Sequence, residues 1–346
     1  MSVRRHLFLD ASPGEMRGVV TLDGKPERLL IHRDAEVDYL PPGTVLSARV
    51  SKIERGLGIA FLRAPSGEQL VCSRAALPEG TSEGGVLSVQ ITAPARSDKS
   101  ANAKVLGPDA APLRIIGEAP PLKQQLQAFS PHQEIETGPE ARDMADEAMA
   151  AVFETEFPLP GGASISIEST RALIAVDVDV GQAAGQDARF SATKVNQMAL
   201  SEAARLARLK GLGGLMCVDL AGKGHNGPVL LETAKGAFGP DQPGVALGAI
   251  SRFGILELVI PWRHKPLIER LADPDGRPSA LTEGLTLLRA IEREAGPGRR
   301  VEALCSPAVS QAVESALKSL TGRIGPRFTI TPEIHRTNAN WTAVAR

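Results

Sequence analysis

Apolar and polar residues alternate through the first third of the chain. Residues 1–34 read as short strands joined by a turn at Asp23-Gly24-Lys25, and Pro41-Pro42-Gly43 then interrupts the pattern. Alternation resumes in TVLSARVSKIERGLGIAFLRA (Thr44–Ala64) and continues through Gly67–Leu77 and Gly84–Leu106. Short strands at this spacing, punctuated by glycine turns, predict a small β-barrel over residues 35–106. From 107 to 141 the pattern weakens. Prolines and mixed polar residues there predict a linker with one or two short elements. A helix follows over Ala141–Phe157, where Met144, Ala148 and Val152 recur every four residues.

A different rhythm begins at Pro158-Leu159-Pro160-Gly161-Gly162. ASISIE and ALIAVDVDV predict two strands with a turn near Ser169-Thr170, and FSATKVNQMALSEAARLARLK predicts a long helix ending at Gly211. GGLMCVDL has the near-continuous apolar run of a buried strand. A helix at PVLLETAKGAF, a strand and ISRFGILELVIPW complete an alternating unit, which predicts a sheet covered by helices. After Pro266 the chain resets, with Ser279 capping a helix, a second helix in SPAVSQAVESALKSL and a strand near FTITPEI. The whole reads as a multidomain α/β (α+β) protein.

The chemistry-bearing pattern is IAVDVDVG. Side chains of a strand alternate faces, so Ala175, Asp177 and Asp179 share one face and Val176 and Val178 the other. Asp219 ends the second, buried strand. Active sites of open α/β sheets collect at such strand ends. Carboxylates brought together repel and call for a cation, and a few carboxylates with several waters suit magnesium, which polarises a phosphoryl oxygen and helps supply hydroxide. Taken alone, an aspartate at a strand end also serves as a turn or capping residue. Arg205, Arg208 and Lys210 near the end of the long helix are candidate phosphate contacts, or a solvated face complementing the helix dipole. Arg252-Phe253-Gly254 reads as a tight turn in the core or as a source of an RNA contact from Arg252. Gly211–Gly214 precedes a strand, so it is no dinucleotide fingerprint, and Gly222-Lys223-Gly224-His225 lacks P-loop spacing, so His225 reads as an ordinary exposed loop histidine or as a group assisting near Asp219.

Composition narrows the picture. A formal charge of −1 announces no global nucleic-acid binder, though cations can still cluster locally. Aromatics at 3% leave room for only a small base-stacking surface. Cys72, Cys217 and Cys305 form no CxxC pair and are odd in number, which points to reduced, buried thiols. No signal peptide is read behind Arg4-Arg5, and no apolar run approaches the roughly 20 residues of a membrane span. The expected location is cytoplasmic.

PLPGGASISIESTRALIAVDVDVG resembles the stretch of the ribonuclease E/G family in which a proline-glycine turn leads into a hairpin ending in AIDxN or AIDxD. RLARLKGLGGLMCVDL resembles that family's arginine-rich helix, paired glycines and second metal-binding aspartate, and ISRFGILEL the segment after it. GTVLSARVSKIERGLGIAFL and VQITAPARSDKSANAKV resemble the family's inserted OB-type RNA-binding domain.

The resemblance implies a DNase I-like catalytic domain at 158–266 in which Asp177 and Asp219 bind Mg²⁺. Asp179 stands where the family often has asparagine. It implies an OB-type barrel at 35–106 with Phe61 stacking on a base and Lys99 contacting RNA. A second family aromatic falls at Leu70, which would weaken the platform. Residues 1–34 and 107–157 would be remnants of an RNase H-like subdomain, and 267–346 a small C-terminal α/β domain. Residues 107–157 carry no RTAG-like 5′-sensing segment, and no CPxC motif is present, so no zinc-linked oligomer is expected. The implied activity is magnesium-dependent endonucleolytic cleavage of single-stranded RNA, leaving 5′-phosphate and 3′-hydroxyl ends. The alternative is a non-catalytic RNA-binding protein of the same fold.

Overall fold

The structure, a computed structural model, describes residues 5–346 apart from 97–98, 111, 182–187, 224–225 and 297, and apart from the side chains of 188–191. The chain divides into two compact units. Unit 1 gathers residues 1–39, 121–149 and 267–346, and unit 2 gathers 40–120 and 150–266.

The chain begins in unit 1 with an antiparallel meander of β1 (Arg5–Ser12), β2 (Glu15–Leu22) and β3 (Lys25–Arg33). The turn between β2 and β3 sits at Asp23 (φ 50°) and Gly24 (φ 83°), a pair of left-handed residues that suits a two-residue hairpin.

Next come β4 (Val45–Glu54), β5 (Ile59–Arg63), β6 (Gln69–Ser73), β7 (Val86–Ala93) and β8 (Ala101–Pro108) in unit 2. Their order is β5-β6-β8-β7-β4, and β4 pairs again with β5, so the sheet closes into a five-stranded barrel. Closure removes the exposed edges. The barrel is filled by Leu46, Ala48, Val50, Leu62, Leu70, Val89 and Ile91, all buried. A short β9 (Ile115–Gly117) adds to β4.

Back in unit 1, α1 (Leu122–Gln127) packs Leu122 and Leu126 near Gly18, β10 (Ile135–Glu136) pairs in parallel with β1, and α2 (Pro139–Phe153) follows. The helix stops short of the predicted Phe157. Glu156–Leu159 instead form β11, an edge strand of the next sheet. Pro158 is tolerated there because an edge residue need not donate to a second neighbour.

That sheet is the second body of unit 2. It contains β11, β12 (Ala163–Ser169), β13 (Ile174–Asp179), β14 (Gly214–Asp219), β15 (Ala246–Ile250) and β16 (Ile255–Ile260) in the order β11-β12-β13-β14-β16-β15. β13 and β14 run parallel and the other neighbours antiparallel. A parallel pair needs a crossover, which α3 (Ala188–Lys210) supplies, and α4 (Gly227–Ala237) packs beside it. Val176, Val178, Met216 and Val218 face the buried side with Ala199, Leu200, Ala203 and Leu206 of α3, while Asp177, Asp179 and Asp219 are exposed on the opposite face.

The last stretch completes unit 1 with α5 (Ile268–Leu271), α6 (Ala280–Glu294), β17 (Val301–Cys305), α7 (Pro307–Ala312), α8 (Leu317–Ile324), β18 (Phe328–Pro332) and β19 (Thr342–Ala345). The Ser279 hydroxyl caps α6 by accepting the Thr282 amide at 3.2 Å. The predicted second helix is broken at Val313 (φ −105°, ψ 5°), where the chain leaves helical geometry before α8 starts. Beside its apolar cores, unit 1 buries a set of ion pairs. Arg17, wholly buried, donates to Asp10 at 2.6 Å and Asp146 at 2.6 Å, and Glu15 accepts from Arg33 at 2.7 Å and from Arg289 at 2.6 Å.

Candidate active site

Asp177 and Asp219 are register partners across the parallel pair β13–β14. Neighbouring strands lie about 4.8 Å apart and register partners share a face, so the two carboxylates emerge side by side. Ser166 pairs with Asp177 from β12, and Ile255 with Asp219 from β16. The row across the sheet is therefore Ser166, Asp177, Asp219, Ile255. Asp179 lies two residues on, on the same face, and its Oδ1 accepts the Gly181 amide at 2.8 Å, which ties it to the turn leaving β13.

The chain just past Asp219 is held from below. Asn196 of α3 is fully buried, its amide nitrogen donates to the Ala221 carbonyl at 3.0 Å and its oxygen accepts the Ala221 amide at 3.0 Å. This two-point clamp fixes the backbone two residues after the carboxylate. A polar residue within a helical apolar stripe was its signal in the sequence, and it escaped the pattern reading. Beside the clamp, the Leu220 amide donates to the Gly254 carbonyl at 3.1 Å, joining the turn between β15 and β16 to the end of β14. Phe253 in that turn is 73% exposed, with the Arg252 guanidinium 4.6 Å from its ring centre. The expectation of a core turn fails here: the backbone of 251–254 is anchored, but the ring stands in solvent.

The helix cations take internal roles. Arg205 is buried and pairs with Glu202 at 2.6 Å. Arg208, also buried, donates to the Ala237 carbonyl at the end of α4 and to Asp241, at 2.9 and 2.8 Å. Lys210 donates to the carbonyls of Ala151, Val152 and Glu154 at 2.8, 2.8 and 2.6 Å. Burial pulls its pKa down to about 8, Arg205 adds to that and Glu154 opposes it. Cations at the last carbonyls of a helix satisfy orphan acceptors and complement its dipole. The end of α3 thus ties down two other helix ends and does not line the carboxylate face.

In the barrel, Phe61 is half-buried on the outside of β5, between the core residues Ala60 and Leu62. Its register partners are Lys52 and Val71. Leu70 is wholly buried inside the barrel, so Val71, and not Leu70, borders the ring. Lys99 is exposed, and it exchanges reciprocal backbone bonds with Arg96, at 3.1 and 2.7 Å. The Arg96 guanidinium lies 4.1 Å from the ring centre of Trp262, which follows β16. Trp262 in turn packs on Gly213 and Gly214, where a Cβ would come within 2.9 and 3.1 Å of the indole. The paired glycines are the seat of that tryptophan. His225 falls outside the described residues.

An oxygen-only pair fits a hard cation that keeps most of its water and takes the rest of its shell from phosphate, as magnesium does. Among the described residues no group of three or more His, Cys, Asp or Glu side chains is placed to hold a metal.

The segment bearing this pair also carries a family signature. Residues 120–260 match the Ribonuclease E/G family. Over 114 residues the chain is 37% identical to Ribonuclease E of Escherichia coli (strain K12), covering 31% of this chain and 10% of that protein. Ribonuclease E of Buchnera aphidicola subsp. Acyrthosiphon pisum is 34% identical over 115 residues, 31% of this chain and 12% of that one. The chloroplastic Ribonuclease E/G-like protein of Arabidopsis thaliana is 30% identical over 118 residues, again 12% of its length. The aligned part is thus about a tenth of the length of these relatives. The ribonuclease E/G match takes in Asp177, Asp179, Asp219 and Arg252, while the barrel strands lie outside it.

Proposed function

We propose that the protein is an endoribonuclease that cuts single-stranded RNA at the Asp177–Asp219 pair with Mg²⁺ bound there. The observation that carries this reading is the register of the two aspartates across a parallel strand pair within a ribonuclease E/G-like segment. When bound, magnesium supplies Lewis-acid polarisation of the phosphoryl oxygen and a more acidic water. The chain does the rest. Asp177 and Asp219 furnish the negative charge that holds the cation. Asp179, oriented through the Gly181 amide, presents its other oxygen to a water approaching the phosphorus. The Asn196 clamp keeps Asp219 in register with Asp177.

The closed barrel of the same unit is read as an OB-type module, with Phe61 stacking on a base and Lys99 following the phosphates. The RNA is single-stranded in this reading because only unpaired bases can be splayed onto an aromatic ring. No helix among the described residues is long and apolar enough to cross a membrane. Labelled AU-rich RNA incubated with the protein and Mg²⁺ should yield internal cuts with 5′-phosphate ends, and EDTA should stop them. RNA bound without cuts under both conditions would favour the non-catalytic alternative.

A further inference from the structure

The turn between β15 and β16 holds an apolar ring in water at the edge of the carboxylate pair. Ser251 builds it: its carbonyl accepts the Gly254 amide at 3.0 Å, and its hydroxyl oxygen accepts the amides of Phe253 and Ile255, both at 3.2 Å. Gly254, at φ 87°, takes the left-handed conformation the turn requires and is itself bonded to Leu220. The backbone is therefore fixed from both sides, while Phe253 stays 73% exposed. Burying a phenylalanine ring is favourable, so a rigid mount that keeps one in solvent forgoes that gain. Ile255 pairs with Asp219. At ~3.3 Å per residue along the strand and ~4.8 Å across, the Phe253 backbone lies within about 10 Å of Asp219. Arg252 stacks beside the ring at 4.6 Å, placing a cation where a phosphodiester would accompany a stacked base.

We infer that Phe253 is a base-stacking platform for the nucleotide beside the cleaved bond, and that it positions the RNA strand over Asp177 and Asp219. The inference rests on the endoribonuclease reading above. Any base offers a π-face, so the platform fixes position and does not select sequence.

The test is kcat/KM for cutting one defined site in a single-stranded RNA, measured with the full-length protein and Mg²⁺. The RNAs are the intact oligonucleotide and a set in which one nucleotide at a time is abasic. Phe253→Ala should lower kcat/KM on intact RNA about tenfold, and Phe253→Trp should restore it. One abasic position, at a fixed offset from the cut, should lower the wild-type value by a similar factor. On that RNA, Phe253→Ala should cause no further loss, because the partner base is already gone. An unchanged kcat/KM for Phe253→Ala overturns the inference and leaves the endoribonuclease reading standing. So does a loss that is the same on every abasic RNA, as a ring serving only the turn, or a protein partner, would give. Wild-type protein that neither binds nor cuts the RNA overturns both.

Discussion

In the proposed site Asp177 and Asp219 would each supply one negative charge to a shared cation, and an amide of the same shape would supply none. Asp177→Asn or Asp219→Asn should therefore abolish cleavage while leaving RNA binding and thermal stability close to wild type, since both side chains are exposed and neither fills the core. Near-wild-type turnover at saturating Mg²⁺ in either variant would remove the metal assignment. Phe61 gives the matching prediction in the barrel. Its ring lies outside the packed interior, so Phe61→Ala should weaken single-stranded RNA binding by about 1–3 kcal/mol without unfolding the protein, as read by fluorescence anisotropy and circular dichroism together. The aspartates were legible because strand alternation fixes which side chains share a face. That Asp177 and Asp219 stand opposite each other was not, because register belongs to the pairing of two strands and not to either alone. The sequence leaves open whether the Arg252-Phe253-Gly254 turn lies in the core or faces solvent for a related reason, because the Ser251–Gly254 turn that sets the direction of the Phe253 ring is a matter of backbone bonds and not of residue pattern.

Among the elements, α3 does most to organise the sheet, through its buried face, through Asn196 and through its terminal cations. Replacing Lys210 by methionine would leave the carbonyls of Ala151, Val152 and Glu154 without this donor, at a cost of about 2 kcal/mol or more. The pH dependence carries a definite sign. The Lys210 pKa falls from an ordinary 10.5 to about 8 in the folded state. Between those values the unfolded chain holds the proton that the folded chain has released, so this group makes stability rise with pH across that window. Chemical denaturation at pH 8 and pH 10 should show the rise in wild type and its loss in Lys210→Met. The helix itself was readable from its length and its stop at Gly211. Where its cations end was not, since a helical wheel shows a charged face but not the carbonyls that come to meet it. The break at Val313 is similar: the SPAVSQAVESALKSL pattern is continuous, and tertiary packing divides it into α7 and α8.

On the scale of the molecule, both units hold apolar cores, and unit 1 adds to its own a buried web of ions around Arg17, Glu15, Arg33 and Arg289. Removing one member of such a web strands its partner. Arg17→Met should cost about 3–5 kcal/mol, seen as a lower unfolding midpoint in urea. Burial alone would raise the Asp10 pKa. The charge and hydrogen bond of Arg17, with help from Ser12 and Arg142, outweigh it and hold the carboxyl below its ordinary 3.8. Asp10 thus adds stability at neutral pH that is lost as pH falls through the acid range, and the Arg17 variant should lose less on acidification. In residues 112–155, the described elements are the tail of the barrel and the helices and strand of unit 1, and the sequence there lacks a 5′-sensing segment. RNAs bearing 5′-monophosphate, 5′-triphosphate or 5′-hydroxyl ends are accordingly expected to be cut within about threefold of one another, well under 1 kcal/mol. A tenfold preference for the monophosphate would place a sensor in this stretch.

The interleaving of the two units sets a schedule for synthesis. β1, β2 and β3 leave the ribosome first, yet α1, β10 and α2 follow only after the barrel has been made, and α6 with β17 only after residue 266. Unit 2 has all its strands once residue 266 is out. Unit 1 lacks Arg289, a partner of Glu15, until translation has moved on past residue 289, a delay of roughly one to five seconds. For that interval the nascent chain carries both strands of the carboxylate pair while Glu15 has Arg33 beside it and not yet Arg289.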